Sequence, residues 1–272
     1  MARKLDTTSA ALRAVRLMEA VAGAERPLSL TALVDAVGLP KPTVHRILGE
    51  LVADGLLARE PAGKRFTVGP RLARLGLAAV INSGARAERH AILQGLVERI
   101  GETCNLTMLD GSEVVYLDRV ETAWPLRMNL QPGSHVPTHC SASGKLLLAF
   151  LPKARRTRLV AGLPTPRFTE NTIGDRRRLA AELDLIRGRG YATDDEEYLA
   201  GVACVAVPVR AARGRVVAAV AVHAPTSRMP LKRGLTFVPM LEEAAAAIGG
   251  TLEPATGPTP AKTSRGRRMA RA

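Results

Sequence analysis

Apolar residues recur at three- and four-residue spacings along the N-terminal part of the chain, which predicts a series of short amphipathic helices. The first covers residues 9–22. The second follows Ser29, a suitable N-cap, and ends at Gly38, because glycine readily takes the left-handed conformation that closes a helix. The third covers residues 41–54 and begins with a lysine and a proline, which is tolerated in a first turn.

Two strand-like runs follow the third helix, at residues 56–60 and 65–69. The short, basic connection between them predicts a β-hairpin. Two helices joined by a glycine turn and followed by a basic hairpin are typical of a winged helix-turn-helix, whose second helix enters the DNA major groove. Trihelical modules also occur as protein–protein adaptors, but the basic hairpin favours DNA. The residues expected to face base edges are Lys41, Thr43, His45 and Arg46, and those expected to reach phosphates are Lys64 and Arg65.

The remainder of the chain alternates between helical and strand-like periodicity. The predicted helices cover residues 71–82, 85–101, 142–150, 153–161, 173–189 and 231–249. The predicted strands cover residues 103–110, 113–121, 126–130, 201–210 and 215–223, and residues 132–140 are expected to form a loop. This order predicts an α+β domain with an antiparallel sheet. The basic tail, residues 253–272, is rich in Pro, Gly and Ser and is expected to be disordered.

Composition narrows the class of protein. The formal net charge is +14, which favours polyanionic partners, and only 3% of the residues are aromatic, so the cores must be aliphatic. The three cysteines lie far apart and form no CxxC pair, which argues against a disulfide framework. The sequence shows neither a secretory signal nor a run of about 18 apolar residues that could span a membrane. These features predict a cytoplasmic protein with no membrane association.

Six segments of the sequence carry a resemblance to a known family. They are SLTALVDAVGLPKPTVHRILGELVADGLLARE, FTVGPRLARLG, GETCNLTMLDGSEVVYLDRVE, PTHCSASGKLLLAFLP, GYATDDEEYLAGVACVAVPV and HAPTSRM. In this order they resemble the IclR family of bacterial transcription regulators. The resemblance implies a winged helix-turn-helix domain, a linker helix and a GAF-like effector-binding domain with a curved antiparallel sheet. It places their boundaries at residues 1–69, 70–84 and 85–252.

The resemblance also implies partners. Members of the family bind palindromic operators in double-stranded DNA as homodimers or homotetramers, and respond to small organic or aromatic acids. The pocket lining that it implies here comprises Met128, Val136, Ala142, Ser143, Asp194 and Cys204. Met128 and Val136 would form an apolar wall, and Asp194 would contribute through its backbone or as a hydrogen-bond acceptor. Cys204 would direct its thiol at the ligand or serve only as a small buried apolar residue.

The start of the predicted helix at residue 142 offers independent physical support for an anion site. The free backbone N–H groups and the positive dipole end of a helix N-terminus can hold a carboxylate, and the small residues Ala142, Ser143 and Gly144 allow close approach. The alternative interpretation is that Ser141 is only an N-cap and Gly144 only a packing residue.

One segment departs from the family pattern. The family's last strand often carries two serines, whereas Ala221 and His223 stand at those positions here. We therefore expect a carboxylate that pairs with His223 and carries a bulkier apolar body than a two-carbon acid.

These features predict a ligand-responsive DNA-binding regulator that is not an enzyme and holds no cofactor or metal. Two alternatives remain open at this level. The chain could be a metabolite-binding protein or enzyme that uses the helix-turn-helix for assembly, or a redox sensor that uses its cysteines. The histidines and cysteines at positions 135, 139, 140, 204 and 223 match no complete zinc motif.

Overall fold

The computed structural model describes residues 9–24, 26–60, 64–81, 84–124 and 130–251. The contacts within the chain divide it into two compact units, one ending at Arg86 and the other beginning at Ala87. The finer division predicted at residues 69 and 84 stays a prediction, and the tail predicted to be disordered lies outside the described residues. Among the described residues, no helix is both long and apolar enough to cross a membrane.

The N-terminal unit contains the predicted three-helix arrangement. Helix α1 covers Ala10–Ala22, α2 covers Leu30–Val37 and α3 covers Lys41–Ala53. The Ser29 hydroxyl caps α2 by accepting a hydrogen bond from the Ala32 N–H at 3.2 Å. Gly38 has the predicted left-handed conformation, with φ of 68°. The three helices bury an aliphatic core between them.

A small sheet completes this unit. Strands β2 (Leu57–Arg59) and β3 (Arg65–Val68) form the predicted hairpin, and its tip at residues 61–63 lies outside the described residues. A two-residue strand, β1 (Leu28–Ser29), pairs with the other edge of β3 in the order β1-β3-β2. The sequence did not indicate β1, because two residues are too few to show alternation. Helix α4 (Pro70–Ile81) follows the hairpin.

The C-terminal unit combines a six-stranded sheet with helices. Its elements are α5 (Arg86–Ile100), β4 (Thr103–Asp110), β5 (Glu113–Val120), β6 (His135–Pro137), α6 (Ala142–Ala149), α7 (Lys153–Gly162), α8 (Arg176–Arg189), β7 (Ala192–Asp195), β8 (Val202–Arg210), β9 (Val216–Pro225), α9 (Leu231–Leu235) and α10 (Val238–Thr251). The strand order is β6-β5-β4-β9-β8-β7, and every pairing is antiparallel. The structure thus confirms the predicted α+β fold class.

Helix α6 lies against one face of this sheet. Every residue of α6 is buried, and the helix contacts strands β4, β5, β7, β8 and β9. Its aliphatic side chains share a core with small residues of the sheet such as Ala206, Ala219 and Ala221. Because these alanines leave little side-chain volume on the sheet, the helix backbone can come close to the strands.

Several predicted elements differ from the structure. Residues 126–129 of the predicted strand 126–130 lie outside the described residues, and Leu130 is not in a strand. The stretch 132–140, predicted as a loop, contains the edge strand β6, and the strand β7 was not predicted. The predicted helix 231–249 is two helices separated by a turn at residues 236–237, and Pro239 lies in the first turn of α10, where its missing N–H breaks no helical hydrogen bond.

Candidate functional site

Helix α3 presents a polar face on the N-terminal unit. It buries Val44, Ile47, Leu48 and Leu51 against the other helices. Lys41, His45 and Arg46 are exposed, and Thr43 is half-buried. The four predicted base-contacting residues therefore lie on α3, opposite its apolar face, as the spacing requires.

Arg46 forms an ion pair on this exposed face. Its Nη1 lies 2.6 Å from Glu50 Oε1 one turn later, and both side chains are 63% exposed. An exposed pair at this spacing contributes only about 0.3–0.5 kcal/mol, so the arginine can leave it for a stronger partner at little cost.

The hairpin carries exposed basic residues at the start of its second strand. Lys64 and Arg65 are both exposed, and Phe66 is buried in the core of the unit. The Arg59 guanidinium lies over the Phe66 ring, 5.2 Å from its centroid, which ties the first strand to the second.

A small, partly enclosed cavity lies in the C-terminal unit between the sheet and the N-terminal end of α6. One face of the six-stranded sheet supplies most of its walls. The sheet contributes Asn105, Thr107, Val114, Tyr116, Asp194, Val202, Cys204 and His223, together with Val136 of β6. The remaining walls are formed by Ser141, Ala142 and Ser143 at the start of α6 and by Tyr198 and Leu199.

The start of α6 is held tightly beside this cavity. Ser141 Oγ accepts a hydrogen bond from the Gly144 N–H at 3.3 Å and donates one to the Pro137 carbonyl at 2.6 Å. Ala142 and Ser143 are the first two residues of the helix, where the backbone N–H groups have no carbonyl of a preceding turn to accept their bonds. These two N–H groups and the helix dipole make the local potential favourable for an anion.

Asp194 introduces an acidic group whose charge depends on pH. Its Oδ1 accepts hydrogen bonds from the N–H groups of Glu197 at 2.7 Å and Tyr198 at 3.3 Å. Burial and the nearby Glu197 carboxylate raise the pKa of Asp194 to about 7, although the backbone hydrogen bonds and Lys145 act in the opposite direction. Glu197 itself forms a buried ion pair with Lys145. Asp194 is therefore partly protonated at neutral pH.

His223 lies on the same wall and is neutral. Burial, with a further contribution from the Arg119 guanidinium, lowers the pKa of His223 to about 3. Its Nδ1 lies 3.1 Å from the Asn105 side-chain nitrogen. His223 Nε2 and Asn105 Oδ1 are both buried and have no hydrogen-bond partner among the residues that the structure describes.

Sequence comparisons match both units to one family. The IclR helix-turn-helix domain matches residues 10–61, and the bacterial transcriptional regulator IclR C-terminal domain matches residues 78–249. The chain belongs to the IclR family. The resemblance carried by the six sequence segments is thereby confirmed, and the family's members are transcription regulators.

Related proteins and solved structures are similar to this chain over most of its length. The probable transcriptional regulator SauR of Cupriavidus necator is 51% identical over 239 residues, covering 88% of this chain and 95% of SauR. An IclR-family regulator from Rhodococcus sp. has a TM-score of 0.64 and 25% identity, covering 92% of this chain and 97% of its own. An IclR homologue from Microbacterium hydrocarbonoxydans, solved as a complex with 4-hydroxybenzoate, has a TM-score of 0.56 and 27% identity, covering 90% and 99% of the two chains.

The fold of this IclR-family chain brings most of the predicted pocket residues together. Val136, Ala142, Ser143, Asp194, Cys204 and His223 all line the cavity. Ala221 does not line it: the residue lies opposite Asn105 on the sheet and is buried in the core shared with α6. Met128 lies outside the described residues. The roles of these side chains toward a ligand stay predictions.

The sequence interpretation missed the polar residues of β4 and the aromatic residues of the cavity. Asn105 and Thr107 alternate with apolar residues along β4, and Tyr116 is the cross-strand partner of Thr107 on β5. Polar side chains at alternate positions of a strand that is otherwise apolar could have indicated an internal polar site. Tyr198 gave no such indication, since it lies in the connection between β7 and β8.

The histidines considered as metal ligands have other partners. His135 Nε2 lies 3.0 Å from Asp110 Oδ2, and His139 Nε2 lies 2.9 Å from the Pro166 carbonyl oxygen. Over the part of the chain that the structure describes, no three His, Cys, Asp or Glu side chains are grouped to hold a metal ion.

Proposed function

We propose that this IclR-family regulator binds a palindromic operator through α3 and the hairpin, and that a small organic or aromatic acid in the C-terminal cavity modulates this binding. The effector-binding part of this proposal rests on the cavity, which is bounded by the N-terminal end of α6 and by buried polar side chains of the sheet. The 4-hydroxybenzoate complex of the Microbacterium homologue supports a small aromatic acid as the effector.

The DNA-binding part of the proposal rests on the exposed basic and polar side chains of α3 and the hairpin. We assign Arg46 and Lys41 to guanine edges, and His45 and Thr43 to neighbouring bases. Lys64 and Arg65 contact phosphates beside the groove. A homodimer or homotetramer places two copies of α3 on the two half-sites of the operator, as two-fold symmetry requires.

We also propose a role in effector binding for each wall of the cavity. The N–H groups of Ala142 and Ser143 hold the carboxylate, while Val136 contacts the apolar body. Cys204 is a small apolar contact. The neutral state of His223 changes one expectation from the sequence: the imidazole offers the effector a hydrogen bond and no positive charge. We therefore place the carboxylate at α6.

Regulation follows if the acid binds two arrangements of the dimer with different affinities. A ligand shifts a conformational equilibrium only by the difference between its affinities for the two states. The two arrangements differ in the spacing of the paired winged helices, so one fits the operator half-sites and the other does not.

A fluorescence anisotropy titration of the full chain tests the proposal. The labelled DNA is the region upstream of the protein's own gene, and a shuffled duplex of equal length is the control. We expect tight binding to the upstream region alone, and a change of at least tenfold in apparent affinity with one acid of a panel. Acid binding without specific DNA binding would favour the alternative of a metabolite-binding protein or enzyme that uses the helix-turn-helix for assembly.

The redox alternative makes a different prediction, and the thiols disfavour it. Burial raises the pKa of Cys140 to about 12 and raises the pKa of Cys104 and Cys204 as well. Only the thiolate reacts readily, so all three cysteines are expected to be slow to oxidise at neutral pH. A variant with all three cysteines replaced by serine or alanine should keep its acid response. Loss of that response, with thiol-dependent operator binding in the parent, would support the redox sensor instead.

The affinity for an acid should depend on pH through Asp194. An anion in the cavity adds negative charge near this carboxyl and raises its pKa further above 7, so binding takes up a proton. Affinity should therefore rise as pH falls, by about 5- to 10-fold between pH 8 and pH 6. Isothermal titration calorimetry in two buffers of different ionisation enthalpy measures the affinity and the proton uptake together.

The matched variant for this test is Asp194→Asn. The amide oxygen still accepts the backbone hydrogen bonds of Glu197 and Tyr198, but the side chain no longer titrates. We expect the pH dependence between 6 and 8 to flatten and the proton uptake to disappear. An unchanged pH profile in this variant would show that another group carries the proton.

A further inference from the structure

Asn105 and His223 form a polar pair on the cavity wall. Asn105 lies on β4 and His223 on β9, and the pairings Asn105↔Ala221 and Thr103↔His223 place them diagonally on the same face of the sheet. Both residues are buried, with 1% of Asn105 and 6% of His223 exposed. The Asn105 amide nitrogen and His223 Nδ1 are 3.1 Å apart, within hydrogen-bond distance.

Each member of the pair keeps one polar atom without a partner. Asn105 Oδ1 and His223 Nε2 are both buried and make no hydrogen bond with any residue that the structure describes. Buried polar side-chain atoms are hydrogen-bonded in the large majority of cases, and an unsatisfied one costs about 1–3 kcal/mol. Both residues line the cavity, so an occupant of the cavity is the candidate for the missing partner.

The number of donors and acceptors limits what this partner can be. If the Asn105 amide donates to Nδ1, the neutral imidazole carries its proton on Nε2, and the pair presents an N–H donor beside the Oδ1 acceptor. If the amide is turned round, Nδ1–H donates to the amide oxygen, and the pair presents an Nε2 acceptor beside an N–H₂ donor. Either way, the pair has one donor and one acceptor that still need partners.

A carboxylate does not fit such a pair. Its oxygens only accept hydrogen bonds, so it would satisfy the donor and bring negative charge against the acceptor. A hydroxyl group has one donor and two acceptor lone pairs, and can satisfy both members at once. The neutral state of His223, which follows from its burial, is what makes this complementarity hold across the physiological pH range.

We propose that the effector is a hydroxy acid: Asn105 and His223 bind its hydroxyl group, while the N-terminal end of α6 binds its carboxylate. This inference rests on the proposed function and narrows it from acids in general to acids that carry a hydroxyl group. It also assigns Asn105 a part in selecting the effector. A water molecule held between the two side chains is the competing interpretation, and it predicts no preference for hydroxy acids.

Matched pairs of acids test the inference on the full chain. Isothermal titration calorimetry compares 4-hydroxybenzoate with benzoate, 4-hydroxybutanoate with butanoate, and lactate with propanoate. The pairs sample aromatic and aliphatic hydroxyl groups and three distances between hydroxyl and carboxylate. We expect at least one pair to bind, with the hydroxy acid tighter by about 10- to 100-fold, as loss of a hydrogen bond to buried polar groups predicts.

The outcomes separate this inference from the proposed function. If an unsubstituted acid binds as tightly as its hydroxy partner, the inference is overturned and acid binding stands. If no acid of any pair binds while operator binding is specific, the inference and the acid part of the proposed function fall together.

Substitutions of the pair provide the second measurement. His223→Leu and Asn105→Leu should each reduce the preference for the hydroxy acid over the unsubstituted acid to less than about threefold. His223→Gln keeps one donor and one acceptor and should retain most of the preference. Thermal melting and acid-free operator binding confirm that each variant is folded. A preference that survives both leucine substitutions would contradict the assignment.

Discussion

Replacement of Arg46 by alanine is expected to abolish selective operator binding while the protein stays folded. Arg46 lies on the exposed face of α3, and a bidentate contact from arginine to guanine contributes about 1–3 kcal/mol of discrimination, which is about 5- to 160-fold for each half-site. In a dimer this discrimination is lost at both half-sites. Anisotropy titrations with the operator and with a shuffled duplex measure it. Affinity for the operator should fall toward that for shuffled DNA, which changes far less.

Glu50→Gln is the matched control for this prediction. It breaks the same ion pair from the other side, since Arg46 and Glu50 are joined at 2.6 Å, but it leaves the guanidinium in place. It also removes a negative charge from the face that we propose meets DNA, so operator affinity should stay the same or increase. If Arg46→Ala binds the operator like the parent, α3 does not read the sequence where we place it.

The N-terminal unit could be predicted closely because its signals are local. Caps such as Ser29, the left-handed Gly38 and the proline in the first turn of α3 each act within a few residues of their own position. The short strand β1 is the exception. It forms only because β3 offers a free edge to Leu28 and Ser29, which no local pattern reveals.

The C-terminal unit was predicted less completely because its missing strands depend on distant partners. Strand β6 has three residues and ends in proline, and β7 reads Ala-Thr-Asp-Asp, so neither shows apolar alternation. Both are strands because β5 and β8 provide hydrogen-bonding edges. Helix α6 and strands β4 and β5, whose patterns are strong, lie close to their predicted bounds.

The residues of the candidate cavity show the same difference between features set by local sequence and features set by distant partners. The family motifs indicated six of its fourteen lining residues, including Asp194 and His223, but not Asn105. The contact between Asn105 and His223 joins residues 118 positions apart, and it depends on the pairing of β4 with β9. A motif read along the chain describes the residues near it, whereas a hydrogen bond across a sheet appears only once the strands are aligned.

Gly144→Ala should destabilise the protein and remove its response to acids. A Cβ atom at this position would lie 2.4 Å from Thr138 Cα and 2.5 Å from the Thr138 carbonyl oxygen. Both are backbone atoms, so no side-chain rotation relieves the overlap, and α6 must move away from the segment that precedes it. Overpacking of a buried site costs about 1–3 kcal/mol, which corresponds to a decrease of roughly 2–12 °C in Tm. Thermal melting measures this effect, and calorimetry with the acid measures binding.

Gly188→Ala separates this steric effect from the general effect of replacing a helical glycine. Gly188 lies on an exposed part of α8, where an added Cβ meets nothing within 4 Å. Alanine is favoured over glycine inside a helix by about 0.5–1 kcal/mol, so this variant should melt slightly higher than the parent and keep its acid response. The loss of response in Gly144→Ala should exceed what its lower stability explains, since measurements well below its Tm still find the N–H groups of Ala142 and Ser143 displaced. A Gly144→Ala protein that binds acid normally would show that the start of α6 does not hold the carboxylate.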